Sequence, residues 1–311
     1  MLSFVFSDIN DRDIILPSPL SVRADVDESA PADSLYAVFP YADTAELKSV
    51  KVFSGGRLIF SGVIDEEERS FSPRGKQLRI SARSPAAYLL DNEAAPCSYD
   101  HPSAKLICER YVLPFGIRVS DDDDTVYFGE QNVPKGTSCW SALKSFCIAC
   151  YSSIPRVSAE GVLYLRGMRR EENVSFGNGA DDVRYSLLTE KYKRCEEISA
   201  VRVKTASTGG YTLPIVNKDA ETRGVRRERY LNAVLTDSPM RCADDMIRSG
   251  SQKAYTLRLR CLCCLLGKEG CSASVGGVGE DSLYISALRY RLSESGEYTD
   301  VILKRRINRC G

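Results

Sequence analysis

A single histidine, His101, limits the acid–base chemistry open to this chain of 311 residues. Any Ser-His-Asp or Cys-His nucleophile would have to be activated by it. It stands between Asp100 and Pro102, the setting of a turn or capping residue rather than of a general base. The zinc-protease motif H-E-x-x-H needs two histidines and is excluded, and no G-x-x-x-x-G-K-[ST] phosphate loop occurs.

Cysteine offers a second chemistry. Cys261, Cys263, Cys264 and Cys271 could supply the four thiolates of a structural zinc site. Their spacing, C-x-C-C-x6-C, is not the paired C-x-x-C of a zinc ribbon. On a strand Cys261 and Cys263 would face one way and Cys264 the other, which hinders a tetrahedron. Cysteine also packs as a small hydrophobe, and that reading is favoured over a metal site. Cys147 and Cys150 form a C-x-x-C late in an amphipathic pattern, whereas redox pairs sit at helix N-termini.

Two further patterns are weaker. Gly276-Gly277-Val278-Gly279 would cradle phosphate only between a strand and a helix, yet a strand over 283–285 follows, so a hairpin turn is predicted. Carboxylate runs such as Glu66-Glu67-Glu68 and Asp181-Asp182 resemble ordinary turn acids, with nothing to single out a glycosidase pair. No catalytic, cofactor-binding or metal-ligating residue is assigned.

Bulk composition narrows the classes. Lys plus Arg and Asp plus Glu both number 42, so the formal charge is zero, without the basic excess of a nucleic-acid-gripping protein. Lys304-Arg305-Arg306 and Asp121 to Asp124 read as solvated patches. With 43% hydrophobic residues the chain can build real cores, and its length implies two or three domains. Twelve cysteines in a chain this long do not read as a secreted disulfide scaffold. The opening residues lack a basic, apolar leader pattern, and no apolar window spans about 18 residues, so a reducing cytoplasm and no membrane span are expected.

The elements fall into three segments. Over 1–83, Leu78, Ile80 and Ala82 alternate with polar neighbours, and Val50 to Phe53 and Arg57 to Phe60 flank a Ser54-Gly55-Gly56 hairpin turn. Strands with tight turns predict a small antiparallel barrel or sandwich. Over 84–180 helices are predicted after Ser84-Pro85, after Ser103, and around Trp140, Leu143, Cys147 and Cys150, followed by a hairpin turning at Glu160-Gly161. Over 181–311 strands return, with one helix after Ser238-Pro239. The shared L-x-I-S-A at Leu78–Ala82 and Leu283–Ala287 fits two related β-domains around a mixed centre. The fold class is therefore α+β, mainly β.

Four stretches resemble the baseplate hub proteins of contractile phage tails, a family related to the N-terminal part of type VI secretion spikes. They are Arg57-Leu58-Ile59-Phe60-Ser61-Gly62-Val63-Ile64-Asp65; Leu78 to Pro85 with Leu89-Leu90-Asp91; the 105–112 helix ending in Pro114-Phe115-Gly116-Ile117; and the Trp140 helix with its following hairpin. The resemblance implies two tail-tube-type β-barrel domains, 1–83 and 181–311, joined by a mixed α/β domain, 84–180. It implies no enzymatic activity and a homotrimeric ring of pseudo-sixfold symmetry. That ring would adapt a hexameric tail tube to a trimeric spike, contact other baseplate proteins, and let tape-measure protein, DNA or an effector pass through its channel without specific binding. The site would be a virion or tail-like particle assembled in a bacterial cytoplasm. Leu58, Phe60, Val201 and Val203 are the expected ring-contact positions. A chain ending at Gly311 favours a hub with a separate spike. Alternatives are a peptidoglycan-cleaving baseplate hydrolase and the tail-tip protein of a non-contractile tail.

Overall fold

A computed structural model describes residues 2–73, 75–120, 123–204, 209–232, 239–279 and 282–306. It is mainly β, 47% strand against 18% helix, with large antiparallel sheets. Among the described residues the strand order runs as an open path and no barrel closes. The residues form two compact units: Met1–Glu172 with Arg260–Cys271 and Ser286–Val301, and Asn173–Leu259 with Ser272–Ile285 and Ile302–Gly311.

The sheet of the first unit begins where the alternation is strongest. Strand Gly75–Arg83 alternates buried and half-exposed residues and lies between Ser34–Pro40 and Arg57–Ser72. Leu47–Ser54 and then Leu2–Asp8 continue the sheet on the far side. The predicted hairpin is present: Gly55 and Gly56 both have positive φ, 56° and 79°, the geometry of a two-residue turn matched to strand twist. Phe4, Phe6 and Phe39 pack as one aromatic knot, with Phe39 edge-on to both partners at 5.3 and 5.5 Å.

On the other flank, Ser21–Asp27 pairs with Ser34–Pro40 and with Leu283–Ser293, a strand from far along the chain. Within this unit Arg291 grips Asp25 through two hydrogen bonds at 2.9 and 3.1 Å. Residues from the last sequence segment thus complete a sheet begun by the first, a pairing that local periodicity does not encode.

The mixed segment is capped as predicted at its longer helices, but the short helix Ala87–Asp91 begins after Ala86 with no side-chain cap, because the Ser84 hydroxyl accepts the Asp33 N–H instead. Helix Ala104–Tyr111 begins after Ser103, whose Oγ accepts the Leu106 N–H at 3.2 Å, and helix Cys139–Tyr151 begins after Ser138 in the same way. Their apolar faces meet in a core holding Leu89, Ile107, Trp140, Leu143, Phe146 and Cys147. Tyr99 and Tyr111 share a buried hydroxyl hydrogen bond of 2.8 Å. The hairpin of Arg156–Val157 and Val162–Tyr164 turns at Gly161, φ +71°, and adds Arg118–Val119 in parallel.

Two contacts fix this segment to the sheet. Arg83 sends paired hydrogen bonds to Asp65 (2.6 and 2.8 Å) and to Asp91 (2.7 and 3.1 Å), joining strand, hairpin and the short helix Ala87–Asp91. Arg156 is buried and donates to the carbonyls of Asp27 (3.1 Å) and Ala30 (2.8 Å) and to the Asp33 carboxylate. Ser84 Oγ accepts the Asp33 N–H at 2.9 Å, completing the shell around this turn.

In the second unit, Ala200–Lys204 lies between antiparallel Leu213–Val216 and parallel Glu228–Asn232. Val201, Val203, Ile215 and Leu231 face helix Pro239–Ala254, which returns Ala243, Met246 and Ile247 to the same core. Gly250 allows this approach, since a Cβ there would meet the Glu196 carbonyl at 2.8 Å. Ser238, named in the sequence analysis as the start of a helix, lies outside the described residues.

The buried Arg156 generates a clear expectation. Arg156→Ala leaves Asp33 buried without its charged partner and should cost about 3–5 kcal/mol in urea unfolding; a loss below about 1 kcal/mol would remove the pair from its structural role. Burial outweighs the attraction of Arg156 and pushes the Asp33 carboxyl up from 3.8 to about 6. The folded chain therefore holds a proton that the unfolded chain releases, so this group's contribution to stability falls as pH rises from 3.8 to about 6. Relative to Asp33→Asn, wild type should lose stability across that window. A pH-independent difference would contradict the assignment.

Gly62 gives a second expectation. A Cβ there would stand 2.5 Å from the Arg83 carbonyl oxygen and 2.8 Å from the Phe60 ring. Gly62→Ala should destabilise by about 1–3 kcal/mol in the same assay, as overpacking does.

Candidate functional site

The residues that could do chemistry are held in structural roles. His101 has a positive φ, 48°, its N–H bonds the Gly129 carbonyl at 3.2 Å, and its Nδ1 lies 2.7 Å from Asp100. Its ring meets the edge of Phe128 at 6.1 Å, so it closes a turn. Gly276 to Gly279 joins Cys271–Val275 to the antiparallel strand Leu283–Ser293, the predicted hairpin.

The cysteine cluster departs in detail from the expected strand. Strand Tyr255–Cys261 ends at Cys261, leaving Cys263 and Cys264 in the following bend, because the chain turns there to place Leu265 and Leu266 inside. Thr299 binds this bend, donating to the Cys263 carbonyl at 2.6 Å and accepting the Leu265 N–H at 3.2 Å. Among the described residues no group of three or more His, Cys, Asp or Glu is placed to hold a metal ion. Burial pushes the Cys261 thiol up to about 12, and raises Cys263, Cys264 and Cys271 as well. Cys108 is likewise raised to about 12 by burial, and Cys147 is raised by burial first and by Cys108 next. Thiols held protonated in this way are poor ligands and poor nucleophiles.

The acidic and basic runs are also accounted for. Glu68 pairs with Arg79 at 2.9 Å, and Glu67 accepts the Leu47 N–H at 2.9 Å beside Arg69. Asp182 takes the Gly179 N–H at 2.8 Å, and Asp123 pairs with Arg166 at 3.2 Å, while Asp121 and Asp122 lie outside the described residues. Arg305 and Arg306, read as a solvated patch, instead stack over Tyr255 (3.9 Å) and Tyr284 (5.1 Å).

What remains as a functional surface is strand edge. Leu2–Asp8 pairs on its outer side only where Phe6 and Ser7 meet the two-residue strand Asp13–Ile14. Residues 2–5 therefore present an outer edge without a strand partner among the described residues, and no charged side chain guards it. Ile9 and Ile15, just beyond this strand, are strongly exposed. The 16-residue strand Arg57–Ser72 also outruns its neighbour, pairing with Leu47–Ser54 only as far as Val63. Its free length carries Glu66, Glu67, Glu68 and Arg69, the charges that keep an edge from pairing adventitiously.

Of the expected ring-contact residues, Leu58 and Phe60 belong to the first unit and Val201 and Val203 to the second. Leu58 is half-buried; Phe60 is buried within the first unit. Val201 and Val203 are fully buried beneath the Pro239–Ala254 helix of the second unit. Sequence reasoning missed the edge of residues 2–5, although its uncharged Leu-Ser-Phe-Val pattern was the available signal.

No protein-family profile matches the sequence, and no curated protein matches it. Solved structures do match. The chain is similar to a tail protein from Neisseria meningitidis, with 16% identity and a TM-score of 0.76 over 98% of this chain and 96% of that one. It is equally similar to the 43 kDa tail protein of prophage MuSo2 from Shewanella oneidensis, at 13% identity and TM-score 0.76, covering 97% and 98%. A component of the E. coli type VI secretion system, itself structurally similar to the bacteriophage T4 tail proteins gp27 and gp5, matches with 12% identity and TM-score 0.56, covering 99% and 77%.

The burial pattern makes a direct prediction for the thiols. Under native conditions alkylation, mapped by peptide mass spectrometry, should reach the exposed Cys97 and Cys195 quickly. The buried Cys108, Cys147, Cys261 and Cys271 should react only on unfolding. Rapid native labelling of Cys261 or Cys271 would contradict the packing described.

Along almost its whole length, this chain has the fold of phage tail proteins and of the related type VI secretion component.

Proposed function

We propose that this chain is a structural hub subunit of a contractile phage tail or of a phage-tail-like injection particle. The observation that carries the reading is the fold likeness to phage tail proteins over 97–98% of the chain. In this reading the segments 1–83 and 181–311 act as tube-type β-domains and 84–180 as the mixed spacer between them. Three copies assemble into a pseudo-sixfold ring that meets a hexameric tail tube on one side and a trimeric spike on the other. Tape-measure protein and then DNA or an effector pass through the axial channel. The particle is assembled in a bacterial cytoplasm, alongside other baseplate proteins, and the subunit acts without catalysis.

Physical features of the chain support ring-building. An uncharged strand edge is a liability in a monomer and an asset in a ring that covers it. A formal charge of zero suits a channel through which a polyanion slides without being held. Of the four expected contact residues, Leu58 is the one positioned to touch a neighbour directly. Phe60, Val201 and Val203 act by shaping the strands that carry the contacts.

Solution mass by light scattering tests this reading, on the chain alone and mixed with the spike-like product of a neighbouring gene. The expected mass is three times that of the 34.4 kDa chain in at least one condition. A monomer in both would overturn it. Leu58→Asp should lower the trimer fraction, with urea unfolding of the isolated chain measured in parallel to separate assembly from folding.

A further inference from the structure

In the second unit, the turn Arg194–Glu196 and the residues that follow helix Lys218–Thr222 line an open cavity of about 500 Å³. Its lining is Arg194, Cys195, Gly224, Val225, Arg226 and Arg227, three guanidinium groups and no carboxylate. The walls are fixed to each other. Arg227 donates from Nη1 to the Cys195 carbonyl, and its N–H donates to Ser199 Oγ at 2.9 Å. Gly224, with φ +78°, lets the chain reverse after the helix so that Arg226 comes to the rim.

The charges here are not balanced internally. The buried carboxylate of Glu197 is already bound by Arg223 at 2.6 Å and by the Tyr192 hydroxyl. Arg194 and Arg226 are exposed, and among the described residues neither makes an ion pair or a side-chain hydrogen bond. Several arginines of the first unit, by contrast, are committed to named acids: Arg83, Arg156, Arg170, Arg260 and Arg291.

We propose that this cavity is an oxyanion site that takes a phosphoryl group, with Arg194 and Arg226 as its two donors. A carboxylate's two coplanar oxygens are filled by one guanidinium fork, whereas a tetrahedral phosphoryl group, as free phosphate or as a diester, directs its oxygens out of one plane and can be met by guanidiniums from two sides. Two unpaired guanidiniums around one cavity match the second ligand. The cavity volume lies in the range of small-ligand sites, about 300–1,000 Å³. The phosphoryl group could come from free phosphate or from a nucleic-acid backbone, and the test separates these sources. The site stands on geometry within one unit and is independent of the ring.

Cys195 lines the cavity and reports on it. The full chain is alkylated in chloride of matched ionic strength, with inorganic phosphate or with a short single-stranded oligonucleotide, and labelling is followed by peptide mass spectrometry. Phosphate should slow labelling of Cys195 several-fold in a saturable way and leave exposed Cys97 unchanged. Protection by the oligonucleotide at far lower concentration identifies a backbone phosphate as the ligand, and protection by inorganic phosphate alone identifies the free ion. The double variant R194A/R226A, altered only at exposed positions, should keep its thermal midpoint and lose the protection. Labelling unchanged by both probes, or protection that survives in the double variant, overturns the proposal.

Discussion

The first unit depends on one buried charge. Arg156 sits at the start of a short hairpin, more than a hundred residues from the turn that it grips, and is one of the few charged side chains buried among the described residues. A guanidinium in such a place is tolerated when it is paired and hydrogen-bonded. Here two backbone carbonyls accept from Nη1 and a carboxylate from Nη2, and the carboxylate's own backbone is held by Ser84. The Arg83 clamp on Asp65 and Asp91 does the same at the other end of the junction, in a more exposed setting. Between them they fix the mixed segment to the sheet through directional bonds, whereas apolar packing alone would leave its orientation loosely specified.

That mode of construction suits the force-transmitting role that the proposed hub reading requires. Directional, charge-assisted bonds resist sliding, and the buried cysteines contribute packing without reactivity because burial keeps their thiols protonated. The likeness to tail proteins at 16% identity or less shows how little of this fold depends on particular residues. What is shared is the fold.

Much of this was legible in the sequence, and for local reasons. Ser103 announced a helix start because a hydroxyl before an apolar periodic run satisfies free N–H groups. Gly55-Gly56 and Gly161 marked turns that require positive φ. Asp65, Arg83 and Asp91 all lay in stretches that carried the family resemblance, yet nothing in their spacing disclosed that they meet. Pairing of Leu283–Ser293 with Ser21–Asp27 was equally hidden, since register between distant strands is a tertiary choice. The bend after Cys261 was missed because the strand pattern ran on through Cys263, while Leu265 and Leu266 needed to turn inward. As for the proposed contacts, alternation placed Val201 and Val203 on one face but could not say that a helix covers it.

Electron cryomicroscopy of this chain assembled with tail-tube and spike subunits tests the central claim most directly. The account predicts three copies around one axis, with their β-domains forming a pseudo-sixfold ring about an open channel between tube and spike. A complex in which the chain lies off the axis, or forms no ring around a channel, would contradict it.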